Sequence, residues 1–332
     1  MSLTTRAELM LLALAGAYQS LSAQCPAPRE NGARRIPAYF ETGRVLAAPR
    51  TTRGDTAFFI LDSGGGFNAI MDTRVAALHL ATQFVHSGND TATVVSLSSF
   101  VDPAFLPAPV AGYPHDGTLV VTHALTSMAP HYGVPITGFL GGGWWADRVW
   151  QIDYLRLELW LYPHLVLKAG SANAHVIPLA FRTNGAGARP TNFARIRALI
   201  DGDSLDLLFD TGATTLITDS ARAVLGDNGP KARAGSFISA SIFDRWHARH
   251  PGWRVVERGE AGTQATLIEV PAMQLAGYAV GPVIWEKRGD TNFHKLMDPL
   301  MDRPIQGSLG GAAFQFFSIT VDYPSSLACF ER

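Results

Sequence analysis

The chain reads as a mainly β protein built from two related lobes with few short helices, and three observations predict this. Runs rich in β-branched and aromatic residues, such as AFFIL, TLVVTHAL, LDLLF, YAVGPVIW and FSITVDY, are separated by Gly, Pro and Asp clusters, a pattern of strands and turns. The segments GFLGGGWWADRVWQIDY from Gly138 and GSLGGAAFQFFSITVDY from Gly307 match position for position, the mark of an internal repeat. Two acidic turns, LDSGG at 61–65 and FDTGA at 209–213, each close an apolar run.

Taken in order, residues 1–23 have the layout of an export signal: Arg6, the apolar stretch LMLLALAGAY, and small residues at Ser20, Ser22 and Ala23. No later run approaches the ~20 apolar residues of a bilayer span. The expectation is an exported protein, secreted or periplasmic, with no stable membrane span once the signal is removed and membrane association only if it is retained. RVLAAPRTTRGDTAFFILD then supplies two strands that end in Asp62. Two helices are expected, DTRVAALHL from Asp72 and DSARAVL from Asp219, each opening on an N-cap residue about ten positions after its aspartate. That common offset aligns the two helices as repeat equivalents.

The stretch 96–117 lacks a two-strand pattern. Trp144, Trp145, Trp150 and Trp160 alternate with Val, Ile and Leu, which reads as a buried sheet rather than a sugar-stacking surface. AGSANA at 169–174 reads as a linker between a first lobe at 35–168 and a second at 175–332. In the second lobe ARIRALIDGDSLDLLFD is strand, Asp-Gly turn and strand, ending in Asp210.

Composition excludes several functions. Lys and Arg total 27 against 28 Asp and Glu, without a basic stripe, so a nucleic-acid partner is not expected. The two cysteines, Cys25 and Cys329, cannot make a zinc site alone; in an oxidising compartment they are a candidate disulfide, with two idle thiols as the other reading. His247 and His250 have helical spacing but no acidic third ligand nearby, and a solvated helix face is the plainer reading, so no metal is expected. There is no G-x-S-x-G nucleophile elbow.

The chemistry therefore rests on the two turns. An aspartate at a strand end, followed by a hydroxyl residue and glycine, suits a turn in which backbone N–H groups hold the carboxylate and glycine permits close approach. If the repeat brings Asp62 and Asp210 together, their like charges cannot both ionise comfortably and the pair shares one proton.

With DSG and DTG after apolar strands, each followed by a later apolar-Gly segment, the chain resembles the bilobal pepsin-like aspartic peptidases over nearly its whole length. It is also similar to the single-lobed retropepsins, which dimerise to form this site; here both copies lie in one chain, so a monomer is expected. The shared-proton pair is a property known from that family. The resemblance implies that Asp62 and Asp210 are the catalytic pair and that Ser63 and Thr211 brace the turns, with Gly64 and Gly212 completing them. It implies that Gly141 and Gly310 lie on strands threading beneath. It also implies a polypeptide substrate and no cofactor. Thr214 stands where the family has a hydroxyl supporting the outer oxygen of its aspartate. The first lobe has no hydroxyl at that position, and Asn68 is the substitute. A cleft-covering hairpin with an aromatic is expected from 96–117, through Phe100, Phe105 or Tyr113. The leading function is an aspartic endopeptidase; the alternative is a catalytically impaired binding or inhibitor-like module of the same fold. A two-carboxylate glycoside hydrolase fits the turns less well.

Overall fold

The structure, a computed structural model, describes residues 23–24, 32–87, 90–101, 117–123, 125–163, 168–169 and 173–332. Residues 1–22 of the expected export signal, Cys25, Phe105 and Tyr113 lie outside the described residues, as does half of the expected linker, at 170–172.

The molecule is mainly β, and its two halves repeat one sheet topology. In the first, Phe58–Leu61 runs parallel to Ile136–Leu140, whose other side pairs antiparallel with Ala69–Met71. In the second, Asp203–Phe209 runs parallel to Gly307–Leu309, whose other side pairs antiparallel with Phe237–Ser239. The order continues outward identically. Ala69–Met71 is followed by Thr118–Thr122, Asp90–Ser96 and Gln83–Ser87. Phe237–Ser239 is followed by Val283–Arg288, Leu267–Val270 and Arg254–Val256. Both central strands carry a glycine at the equivalent position for the same steric reason: a Cβ on Gly138 would collide with the backbone of Ala69, and one on Gly307 with that of Phe237.

A third, six-stranded sheet joins the halves. It takes Arg34–Ile36, Val149–Asp153 and Glu158–Tyr162 from the first and Ala174–Pro178, Ser318–Asp322 and Leu327–Glu331 from the second. At its centre Val149–Asp153 lies antiparallel to Ser318–Asp322 with Gln151 opposite Thr320. The sequence repeat equates those same two residues, so the pseudo-twofold axis passes between them. The tryptophans anchor this region as core: Trp144 stacks on Trp150 at 4.2 Å, Trp145 meets Trp150 edge-on at 5.3 Å, and all three are fully buried.

The helices correct the sequence alignment. The strand before Asp72–Ala77 pairs with Ile136–Leu140 as the strand before Ala240–Arg249 pairs with Gly307–Leu309, so these two helices are the true equivalents. Neither expected aspartate is an N-cap either. Thr218 caps Asp219–Leu225, accepting the Ala221 N–H at 3.2 Å, and Met71 precedes Asp72–Ala77 with no side-chain cap.

The Asp219–Leu225 helix belongs to an excursion, 213–235, that the first lobe lacks. Its neck closes where the Gly235 N–H donates to Ala213 O at 2.8 Å, and it carries the hairpin of Thr214–Leu216 with Ala232–Ala234. The hairpin docks on the first lobe: the Ala234 N–H donates to Thr42 O at 3.0 Å, the Thr42 hydroxyl donates to Ala232 O at 3.3 Å, and Leu216 packs in one cluster with Leu46, Ile60 and Tyr132. From beneath, the Thr215 hydroxyl donates to Glu286 Oε2 at 3.0 Å, and Arg288 pairs with Glu286 Oε1 at 2.8 Å.

Glu286 is fully buried, and burial pushes its carboxyl from the ordinary 4.5 up to about 7. The folded chain thus holds this proton more tightly than the unfolded chain, a stabilising contribution present below about pH 4.5 and lost as the pH rises through about 7. A Glu286→Gln variant should therefore lose less stability than the parent between these limits, measured by urea unfolding at stepped pH. Identical slopes would show that Glu286 does not titrate in this window.

Candidate active site

Strand geometry delivers the two aspartates to one place. The Asp62 N–H donates to Leu140 O and the Asp210 N–H to Leu309 O, both at 2.9 Å, so each turn is pinned to the end of the central strand beside it. Each carboxylate then closes its own turn: Asp62 Oδ1 accepts the Gly64 N–H and Asp210 Oδ1 accepts the Gly212 N–H, both at 3.1 Å.

The turns are locked to each other through their hydroxyls. The Ser63 N–H donates to Thr211 Oγ1 at 3.1 Å, and the Thr211 N–H donates to Ser63 Oγ at 3.0 Å. In return the Ser63 hydroxyl donates to Phe209 O at 2.7 Å and the Thr211 hydroxyl to Leu61 O at 2.6 Å, each crossing to the partner lobe. All four groups are buried, where an unmatched donor or acceptor costs roughly 1–3 kcal/mol. The glycines make the approach possible: a Cβ on Gly64 would sit 2.7 Å from the Asp210 Cγ, and one on Gly212 would overlap the Asp62 carboxyl.

Gly141 and Gly310 come to equivalent places, immediately past the last residue of each central strand and at the N-caps of Gly142–Trp145 and Gly311–Phe314. A Cβ on Gly141 would strike the Phe67 and Gly65 carbonyls, and one on Gly310 the Gly235 carbonyl and Ala213. They underlie the turns from strand ends rather than from within the strands.

Two expected supports have other roles. The Thr214 hydroxyl donates to Gly212 O at 3.0 Å, within the turn, and the outer oxygen Asp210 Oδ2 instead accepts the Ser308 hydroxyl at 2.6 Å. Asn68 does not serve Asp62; its Oδ1 accepts the Gly141 N–H at 2.9 Å, the part that the Ser236 hydroxyl plays for Gly310 at 3.1 Å. The signal for Ser308 was present as the mismatch between GFLGG and GSLGG, where Phe139 stands opposite Ser308.

The carboxyls face a pocket of about 260 Å³ walled by Ile60 and Phe139 of the first lobe, Phe237 of the second, and Leu125, Met128 and Tyr132 from the segment before Ile136–Leu140. The expected covering aromatic Phe100 is instead a core residue, packed edge-on against Phe59 at 5.3 Å. Tyr132, overlooked in the sequence, takes the place beside the carboxyls. Its ring lies 4.0 Å from the guanidinium of fully buried Arg44, which pairs with Glu41 at 2.5 Å, and Glu41 also accepts the Gly133 N–H at 3.2 Å.

Burial pushes the Asp62 carboxyl well above the usual carboxylate range, and the neighbouring Asp210 charge pushes the same way. Burial raises Asp210 too, against the Ser308 hydroxyl, the Asp62 carboxyl and the Gly212 and Ala213 N–H groups, which favour its anion. The two carboxyls line one pocket, where the charge of Asp210 acts on Asp62. Such a pair titrates as a unit and holds one proton between its two steps, so an acid and a base coexist in one pocket.

At the far end of the chain, Cys329 is buried and disulfide-bonded. Its expected partner, Cys25, lies outside the described residues. Of the two histidines at helical spacing, His250 lies just past the end of Ala240–Arg249, binds Asp201 Oδ1 through Nε2 at 2.6 Å and stacks on Trp253 at 4.2 Å.

No protein-family model and no curated protein matches this chain. Among solved structures it is similar to the crystal structure of a retropepsin-like aspartic protease from Rickettsia conorii, with 13% identity and a TM-score of 0.27 over 48% of this chain and 94% of that one. A score that low carries no weight for function.

The interlocked hydroxyls give a direct test. Ser63→Ala and Thr211→Val should each destabilise the chain by about 1–3 kcal/mol in denaturant unfolding, and the double variant by less than the sum, because both remove parts of one network. Full additivity would show that the two hydroxyls act independently.

Proposed function

We propose that the chain is an aspartic-type endopeptidase that hydrolyses polypeptides with a water activated between Asp62 and Asp210. The observation that carries the reading is the reciprocal turn pair. Two carboxyls, Asp210 buried and Asp62 partly so, each raised in proton affinity, are presented by matched D-[ST]-G turns to one apolar-walled pocket. The ionised member takes a proton from the water as it attacks the scissile carbonyl carbon, and the protonated member gives its proton to the carbonyl oxygen. The tetrahedral diol then collapses as a proton passes to the leaving nitrogen. No residue of the chain forms a covalent bond to the substrate.

The aromatic and aliphatic walls, Ile60, Leu125, Phe139 and Phe237, favour apolar side chains around the scissile bond. Because both turns lie in one chain, the site needs no second copy, in keeping with a monomer. Export outside the cytoplasm is part of the proposal; it rests on the signal-like 1–23 stretch and is in keeping with the disulfide at Cys329. Among the described residues, no helix is long and apolar enough to cross a membrane.

Incubating the chain with a denatured protein between about pH 3 and 7 should give cleavage that a statine-type inhibitor blocks. Asp62→Asn and Asp210→Asn should each lower kcat/KM by about 10²- to 10⁴-fold, the range for loss of a general acid or base. Cleavage unchanged in both variants would remove the two-aspartate mechanism, and absence of cleavage at every pH would favour a binding module.

A further inference from the structure

We propose that Ser308 sets the polarity of the aspartate pair, making Asp210 the ionised base and leaving Asp62 as the acid that carries the proton. This rests on the peptidase reading above and deepens it, since that reading leaves open which carboxyl plays which part.

The argument starts from how little else distinguishes the two aspartates. Each takes the N–H of the glycine two residues on at 3.1 Å, and each donates its own N–H to the end of the adjacent central strand at 2.9 Å. Each faces a glycine of the opposite turn. Related by the pseudo-twofold axis, these contributions nearly cancel in the difference between the two carboxyls.

The middle residue of the apolar-Gly strand breaks the symmetry. Ser308 and Phe139 occupy equivalent registers: Ser308 lies beside Leu208 and Phe237, and Phe139 beside Ile60 and Ala69. The Ser308 hydroxyl, 3% exposed, donates to Asp210 Oδ2 at 2.6 Å. Phe139 has no donor, and its ring packs edge-on against Phe67 at 5.2 Å. Among the described residues, no side-chain hydroxyl is bonded to Asp62.

A hydroxyl donated to a carboxylate in a buried site is a charge-assisted bond and favours the ionised form. The other titratable groups acting here are few. The aspartates act on each other, Tyr132 lies on the Asp62 side and feels that charge, and Arg44 is stacked on the Tyr132 ring. The element carrying Phe237 brings no charge into the pocket; Arg288 covers that ring at 4.6 Å and is paired with Glu286.

The assignment fixes the proton path. Asp210 takes the water proton as the C–O bond forms, while the carbonyl π pair moves to oxygen and takes the Asp62 proton. On collapse Asp62 recovers that proton from the diol, the C–N bond breaks, and Asp210 returns its own to the leaving nitrogen, so both carboxyls end as they began.

The test combines carbon-13 NMR titration of labelled aspartates in the full chain with pH profiles of kcat/KM. Ser308→Ala should raise the lower apparent pKa of the pair, and the acid limb of the profile with it, by about one pH unit, the scale of one charge-assisted hydrogen bond. Ser308→Thr, which keeps the hydroxyl, should restore the parent values. Phe139→Ser should lower the upper apparent pKa by supplying Asp62 with the matching donor. If Ser308→Ala does not fold, Ser308→Cys, a weaker donor of similar size, should give a smaller shift of the same sign. A folded Ser308→Ala or Ser308→Cys variant with the lower pKa unmoved would overturn the proposal, even if its kcat fell. Shifted NMR titrations in a chain that cleaves nothing would uphold the role of Ser308 and overturn the peptidase reading instead.

Discussion

The exchange of backbone and hydroxyl hydrogen bonds between Ser63 and Thr211 is the constraint on which the site depends. Each turn is completed by atoms of the other, so neither aspartate can be placed without both lobes. The exchange also places the carboxyls where burial raises the proton affinity of both and the Asp210 charge raises that of Asp62 further. The cost of that electrostatic conflict falls on the surrounding fold: the six-stranded sheet, the stacked tryptophans and the paired central strands hold two groups together that would otherwise separate.

Symmetry supplies the frame, and departures from it supply the chemistry. The two sheets share strand order from the centre outward, and glycines recur wherever backbones cross. Against that background the unequal positions stand out: Ser308 for Phe139, Phe237 for Ala69, and Tyr132 in the pocket wall. An exact twofold site would give both carboxyls the same proton affinity. A single chain that carries both halves is free to tune them separately.

What the sequence revealed follows from the range of the interactions concerned. Asp62, Ser63 and Gly64, like Asp210, Thr211 and Gly212, were legible because a turn of three residues has one steric solution that those residue types fit. Gly138, Gly141, Gly307 and Gly310 were legible because close backbone crossings exclude side chains, which leaves an invariant spacing in the repeat. The Asp72 and Asp219 helices were misaligned because equal distance from the aspartates resembles homology until pairing shows which strand precedes each helix. Thr214 holds the motif's place for a supporting hydroxyl, whereas the donor that reaches Asp210 comes from a strand 98 residues later. Tyr132 belongs to no motif; it arrives through its packing on Arg44 and the hold of Glu41 on Gly133, which no local pattern encodes.

The closed neck of the excursion at 213–235 bears on how such a site can change over evolutionary time. The chain leaves after Ala213 and returns at Gly235 to the far side of one hydrogen bond, so the Asp210 turn and the next strand meet the same boundary whatever lies between. The loop is in effect a cassette. It can lengthen, shorten or acquire new contacts with the opposite lobe while the distance between the carboxyls stays fixed, which separates the evolution of the pocket walls from that of the paired carboxyls.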